Sequence, residues 1–226
     1  MSGASAARVA LVRGADLVAS PWKNGGGVTR EIAVAPVASV ANDAARAAFA
    51  WRVSVADVAQ PGPFSRFDGV DRTLVLLEGA GMLLDEAEPA AMTHTLAHPL
   101  DIARFAGETA IDARLIDGPT RDFNLMVRRD AARGTLEVWR GPMVRDITAQ
   151  TVLLYCAQGA FEVRVDRGER VDSLGMGDTL RIDAMQPVNI DAQGAGALLA
   201  ITLDPIRAHA HEQPLDTALP NAARTS

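Results

Sequence analysis

A single cysteine, Cys156, stands in 226 residues, so no disulfide can form within the chain. It lies in the apolar run VLLYCA (152–157), where it reads as a small buried hydrophobe, and it has no basic sequence neighbour to activate a thiolate. Positive charge is also scarce. Lys and Arg number 22 against 28 Asp and Glu, a formal net charge of −6. That balance excludes the broad basic face on which nucleic acid or an anionic membrane surface docks.

No apolar stretch reaches the ~18 residues that a bilayer-spanning helix requires. The N-terminal MSGASAARVALVRGAD has no apolar core followed by a cleavage site, so a cytoplasmic location is expected. The four histidines are His94, His98, His209 and His211. The first pair flanks a segment ending in proline and the second lies in a polar tail, so no three ligands come from ordered strands. Neither a metal nor any other cofactor is expected. Ser54 and Ser65 lack the GxSxG surroundings of a nucleophile elbow.

What the chain does have is core: 48% hydrophobic residues with 22% charged. Gly, Pro and Asp punctuate it at short intervals, and the runs between them alternate. WRVSV (51–55), RTLVLLEG (72–79), FEVRV (161–165) and TLRID (179–183) have the two-residue period of strands or the form of short buried runs. SVANDAARAAF (39–49) is the best helix candidate, and without an apolar stripe it reads equally as a surface loop. The pattern predicts an all-β sandwich or barrel.

The halves echo each other. LLEGAGMLL (76–84) is answered by LLYCAQGAFEV (153–163), and HPLDIARFAGE (98–108) by LGMGDTLRIDA (174–184). A β unit used twice explains this. The expected division is an N-terminal unit over 1–135, a C-terminal unit over 136–206 and a tail over 207–226.

The most conspicuous local feature is WKNGGGVTRE (22–31). A phosphate loop needs its lysine after the glycines, and here Lys23 precedes them; a dinucleotide fingerprint needs a strand–helix context that is missing. Asn24-Gly25 signals a tight turn, and the further glycines allow close approach of a backbone or a ligand. A plain turn is the alternative. In WRVSV, alternation leaves Arg52 and Ser54 opposite Trp51, Val53 and Val55; in DFNLMV (122–127), Asp122 and Asn124 oppose Phe123 and Leu125. In TREIAV (29–34), Arg30 is expected on one face with Ile32 and Val34.

Each of these polar positions singly could be a solvated strand face. Inside a small barrel, however, the inward face can line a cavity. Lys23, Arg30, Arg52 and Arg72 concentrate in the first third, and arginine grips a carboxylate by a planar two-point fork. Arg72 and Glu78 cannot form one contact, since six residues of strand separate them by about 20 Å.

Four stretches, WKNGGGVTREIA (22–33), WRVSVADV (51–58), GPFSRFDGVDRTLVLLEG (62–79) and LIDGPTRDFNLMVRR (115–129), resemble the HutD/Ves family of bicupins in kind and order. The resemblance covers most of residues 20–130; beyond about 135 it is only of general cupin style. It implies two cupin-type (RmlC-like jelly-roll) β-barrels in one chain and a role in bacterial histidine utilisation through binding a pathway-related small molecule. Metal-dependent cupins carry a His-x-His…Glu…His set, and PFSRFDGVDRTLVLLEG has no histidine.

The expected function is therefore binding of a small carboxylate, such as urocanate or N-formylglutamate, in the N-terminal barrel. The expected site comprises Lys23 and Asn24 at the lip, Arg30, Arg52 and Arg72 as grips, and Glu31, Ser54, Ser65, Asp122 and Asn124 around them. Arg30 is the favoured contact. A cofactor-independent enzyme using Glu31, Asp117 or Asp122 as acid or base is the second hypothesis. The third is an architectural role in which the second barrel forms a homodimer interface.

Overall fold

The computed structural model describes residues 7–37, 49–87 and 91–206, which form strands joined by turns. The only helical element among them is a 3-10 turn at Gly14–Asp16. The helix candidate at 39–49 lies outside the described residues except for Phe49, which opens a strand. The tail at 207–226 also lies outside them.

The N-terminal barrel is built from two sheets. One has the order β2 (Ala19–Pro21), β3 (Gly27–Pro36), β4 (Phe49–Val58), β11 (Thr120–Arg128), β6 (Val70–Glu78) and β9 (Ile102–Ala106). The facing sheet has the order β5 (Gly62–Pro63), β10 (Ile111–Leu115), β7 (Met82–Glu86) and β8 (Thr93–Leu96). Leu74, Leu76, Met82, Leu84, Leu96 and Ile111 pack between them at one end. Phe49, Val70 and Met126 form a smaller cluster, with Phe67 against it.

The C-terminal barrel is a single curled sheet: β1 (Arg8–Val12), β16 (Thr179–Asp183), β14 (Thr151–Val165), β17 (Val188–Pro205) and β12 (Ala132–Arg140), with β13 (Met143–Ile147) on β17 and β15 (Val171–Gly175) on β14. Its two long strands crease where their register shifts between Cys156 and Gln158. Gly159 and Gly196 make the crease possible. Both have positive φ, and a Cβ on either would come within 2.0 Å of a backbone oxygen on the opposite strand. The interior is apolar, with Val152, Leu154, Leu180, Ile182, Ile190 and Leu198 fully buried.

Strand pairing departs from chain order at the start. Residues 8–12 precede the first barrel in sequence, yet β1 pairs antiparallel with β16 and completes the second sheet. Arg13, just after it, is anchored 2.6 Å from Asp178.

The barrels share one core. The outer face of β4, β6 and β11 presents Trp51, Val53, Val55, Val75, Phe123 and Leu125 to Leu153, Tyr155, Leu199 and Ile201 of the second barrel. With each large apolar side chain worth about 1.5–3 kcal/mol when fully buried, this layer is the principal bond between the halves. It also leaves the opposite face of the same strands to point into the first barrel.

Candidate functional site

The glycine stretch forms the turn between β2 and β3. The Gly25 N–H donates to the Trp22 carbonyl (3.0 Å), the Trp22 N–H to the Gly27 carbonyl (2.9 Å), and the Gly26 N–H to Asn24 Oδ1 (3.0 Å). Gly25 takes a φ of 71°. A Cβ on Gly27 would lie 2.4 Å from the Asp57 carbonyl oxygen and 3.2 Å from the Trp22 ring, so only glycine lets the turn close onto β4. Trp22 Nε1 then donates to Thr29 Oγ1 at 2.8 Å. The result folds Lys23 and Asn24 over the mouth of a cavity of about 600 Å3 inside the N-terminal barrel.

Cross-strand register lays out the cavity wall in rows. Arg52 and Arg72 both pair with Met126, from opposite sides; Ser54 and Leu74 both pair with Asn124; Ala56 and Leu76 both pair with Asp122. With strands about 4.8 Å apart, the two arginines rise from the sheet roughly 10 Å from each other, with Met126 between them. Ser54, Arg72, Asp122 and Asn124 are all buried, Arg72 at 6% and Asp122 at 1% exposure.

Arg72 is held mainly by aromatic rings. Its guanidinium carbon lies 5.2 Å from the centre of Phe64, 5.8 Å from Phe67 and 5.1 Å from Phe105. Its one hydrogen bond is long, 3.4 Å from Nη1 to the Ser65 carbonyl, and Nε has no partner among the described residues. Burial pulls its pKa down to about 10, with Arg52 adding to the effect and Asp122 opposing it. It nonetheless stays charged at neutral pH.

Asp122 is the counterpart. Neither carboxyl oxygen has a hydrogen-bond partner among the described residues, and Asn124 Oδ1 is likewise unmatched. Full burial pushes the Asp122 pKa up to about 7; Arg72 opposes the shift and Asp57 adds to it. Arg52 Nε lies 2.9 Å from Glu31 Oε2, an ion pair whose N–H is not aligned for a hydrogen bond.

Of the residues singled out from sequence, Lys23, Asn24, Arg52, Ser54, Ser65, Arg72, Asp122 and Asn124 line this one cavity. Glu31 pairs with Ser54 in register and sits exposed at the edge beside Arg52.

Arg30 requires a correction. It pairs in register with Val55 and so lies on the outer face of the sheet, where it meets Asp57 at 2.5 Å. Arg121 holds the other Asp57 oxygen at 2.6 Å and reaches Glu78 at 3.4 Å. Ile32 is buried in the core between the barrels, and a bulge between Glu31 and Ala33 then turns Val34 to pair with Arg52 on the cavity side. The face shared by Arg30 and Ile32 is thus the inter-barrel face. Asp117 lies exposed in the loop before β11, outside the cavity lining.

Sequence reasoning missed Trp22, Thr29, Phe64, Phe67 and Met126, which also line the cavity. The spacing of Phe64 and Phe67 within PFSRF was a usable signal. Phe105 was not, because only the register Arg72↔Phe105 brings it to the arginine. His94 is paired with Glu86 at 2.7 Å and His98 is exposed beside Asp101. Among the described residues no group of three or more His, Cys, Asp or Glu could hold a metal ion, and no helix is long and apolar enough to cross a membrane.

A family model described as HutD matches residues 14–200. The chain belongs to the HutD family. An uncharacterised 21.2 kDa protein in the hutC 3′ region of Pseudomonas putida is 34% identical over 195 residues, covering 84% of this chain and 96% of that one. Protein Ves from Citrobacter koseri is 40% identical over 118 residues, 52% of this chain and 56% of its own length. Among solved structures, HutD from Pseudomonas fluorescens SBW25, in a formate condition, superposes with a TM-score of 0.75 at 33% identity, over 88% of this chain and 100% of that one. Oxalate decarboxylase from Lactobacillus farciminis, at 10% identity and a TM-score of 0.55 over 87% of this chain and 86% of that one, shares the cupin-type fold alone. HutD membership associates the chain with histidine utilisation.

Proposed function

We propose that this HutD-family chain binds a small carboxylate in the N-terminal barrel and that the bound state modulates histidine utilisation. The observation that carries this reading is Arg72: a charged guanidinium buried to 6% exposure, wedged among three aromatic rings, with Nε free of any partner among the described residues. A buried cation without a matching hydrogen-bonded anion is costly, and a ligand carboxylate supplies both charge and acceptors. Arg52 flanks the same row, and Ser54 and Asn124 offer further polar contacts to the body of the ligand. Urocanate and N-formylglutamate fit the association with histidine utilisation.

Titration calorimetry with these two acids tests the reading. Binding is expected, and Arg72→Ala should weaken it at least 100-fold, about 2.7 kcal/mol. Arg72→Lys keeps the charge, loses the fork, and should lie between. Absence of heat and of thermal stabilisation with either acid at millimolar concentration would reject it.

A second reading is catalytic, favoured by one arrangement: Asp122 is buried on the cavity wall with both carboxyl oxygens unpartnered among the described residues, and burial pushes its pKa up to about 7, the range suited to a general acid or base. Product analysis by NMR after incubation with the same acids decides. An unchanged spectrum leaves binding alone.

A further inference from the structure

The cavity has two chemically distinct ends. Arg52 and Arg72 flank Met126, whereas Asp122 sits four residues along the same strand, a backbone offset of roughly 13 Å at ~3.3 Å per residue across which the long Arg72 side chain still feels the Asp122 charge. If Asp122 served only to neutralise Arg72, the two would be hydrogen-bonded, as Asp57 is to Arg30 and Arg121. They are not: both Asp122 oxygens lack partners among the described residues and Arg72 Nε does too. No described residue of the surrounding wall donates to Asp122. Leu74 and Leu76 pack beside Asp122 in the barrel core, with the rings of Trp22 and Phe64 against the same cluster. The Trp22 N–H is spent on Thr29. An orphaned buried acceptor costs about 1–3 kcal/mol, more when charged. A group that enters with the ligand can remove that cost.

We infer that Asp122 reads the second polar group of the ligand, selecting acids that also carry an N–H, as an amide or azole does, over acids of the same shape without one. This rests on the carboxylate reading of the same cavity. The carboxylate goes to the arginine end, and the N–H donates to Asp122. An ester oxygen placed there instead would set lone pair against lone pair. A site built to hydrogen-bond one group rejects the analogue lacking it far more strongly than an apolar pocket rejects a missing methylene.

The test compares N-formylglutamate with its ester isostere, in which –O– replaces the amide –NH–, by competition calorimetry. At pH 8 the wild-type chain should prefer the amide at least tenfold, and in Asp122→Asn the ratio should fall below threefold, because a neutral side-chain amide can turn to donate to the ester. The wild type also carries the test by itself. Arg72 faces Asp122 from β6 and keeps its charge well above this range, and Asp57, from β4 behind it, is held low: burial opposes its charge, and Arg121 and Arg30 outweigh burial. Among the described residues no histidine lines the cavity, so Asp122 is the group on its wall expected to change charge between pH 8 and 6, and the amide preference should shrink severalfold over that interval. A wild-type ratio near one at pH 8, or a ratio that neither pH nor Asp122→Asn alters, overturns the role of Asp122 and leaves carboxylate binding standing. Failure of both acids to bind the wild type removes the carboxylate reading and this inference together.

Discussion

The two barrels present the same kind of curled β-sheet interior and fill it in opposite ways. In the second, Val152, Leu154 and Cys156 of β14 meet Leu180 and Ile182 of β16 and Leu198 of β17, all at 0% exposure. In the first, the corresponding inward positions carry Arg52, Ser54, Arg72, Asp122 and Asn124, and a cavity of about 600 Å3 opens among them. Close packing and a ligand site compete for the same volume. With one interior solid and the two barrels joined through a continuous apolar layer, the other interior can stay hollow and polar without loss of the fold.

That contrast can be broken from the solid side first. Leu180→Ala removes a fully buried side chain from a filled interior and should cost about 3–5 kcal/mol in denaturant unfolding. Met126→Ala, beside an existing cavity, should cost about half as much, since fewer contacts are lost. Equal costs would mean the two interiors are packed alike.

The next effect is one of charge. The Asp122 carboxyl is raised from 3.8 to about 7 by burial, so the folded chain holds a proton there in a range where the unfolded chain has released it. The penalty is therefore absent below about pH 4, grows between about 4 and 7, and is full above, at roughly 4 kcal/mol. Asp122→Asn should raise stability at pH 8 by up to that amount and leave it nearly unchanged at pH 4, as followed by urea melts at both values. A gain independent of pH would remove the charge explanation.

The smallest effect sharpens the boundary of the site. Arg30→Ala removes a partly exposed ion pair while Asp57 keeps Arg121, so stability should change by less than about 1 kcal/mol and carboxylate affinity by less than twofold. A tenfold loss of affinity would return Arg30 to the ligand side.

The all-β class and the alternation in β4 and β11 were legible because a two-residue period states which residues share a face; the cupin-type fold came only with the resemblance of four stretches to the HutD/Ves family. Arg52 with Ser54 and Asp122 with Asn124 follow from that period directly. What the period does not state is which face meets what. Arg30 was misassigned for that reason: Ile32 marks an apolar face, but that face packs on the other barrel rather than around the cavity. The extra residue in β3 then hides the change of side at Val34, since a bulge leaves no trace in alternation alone. Phe105 and the N-terminal strand were illegible for another reason. Each is placed by pairing with a partner far along the chain, Arg72 for one and β16 for the other.

The sheet between the cavity and the shared core is one residue thick, and its numbering divides cleanly. At positions 52, 54, 72, 74, 122, 124 and 126 the side chains line the cavity; at 51, 53, 55, 75, 77, 123, 125 and 127 they bind the other barrel. Two messages are thus interleaved in the same strands, one addressed to a ligand and one to the architecture. Varying 52, 54, 122 and 124 would explore new ligands while the intervening letters keep the halves together, which makes this wall a natural starting point for redesigning recognition without redesigning the fold.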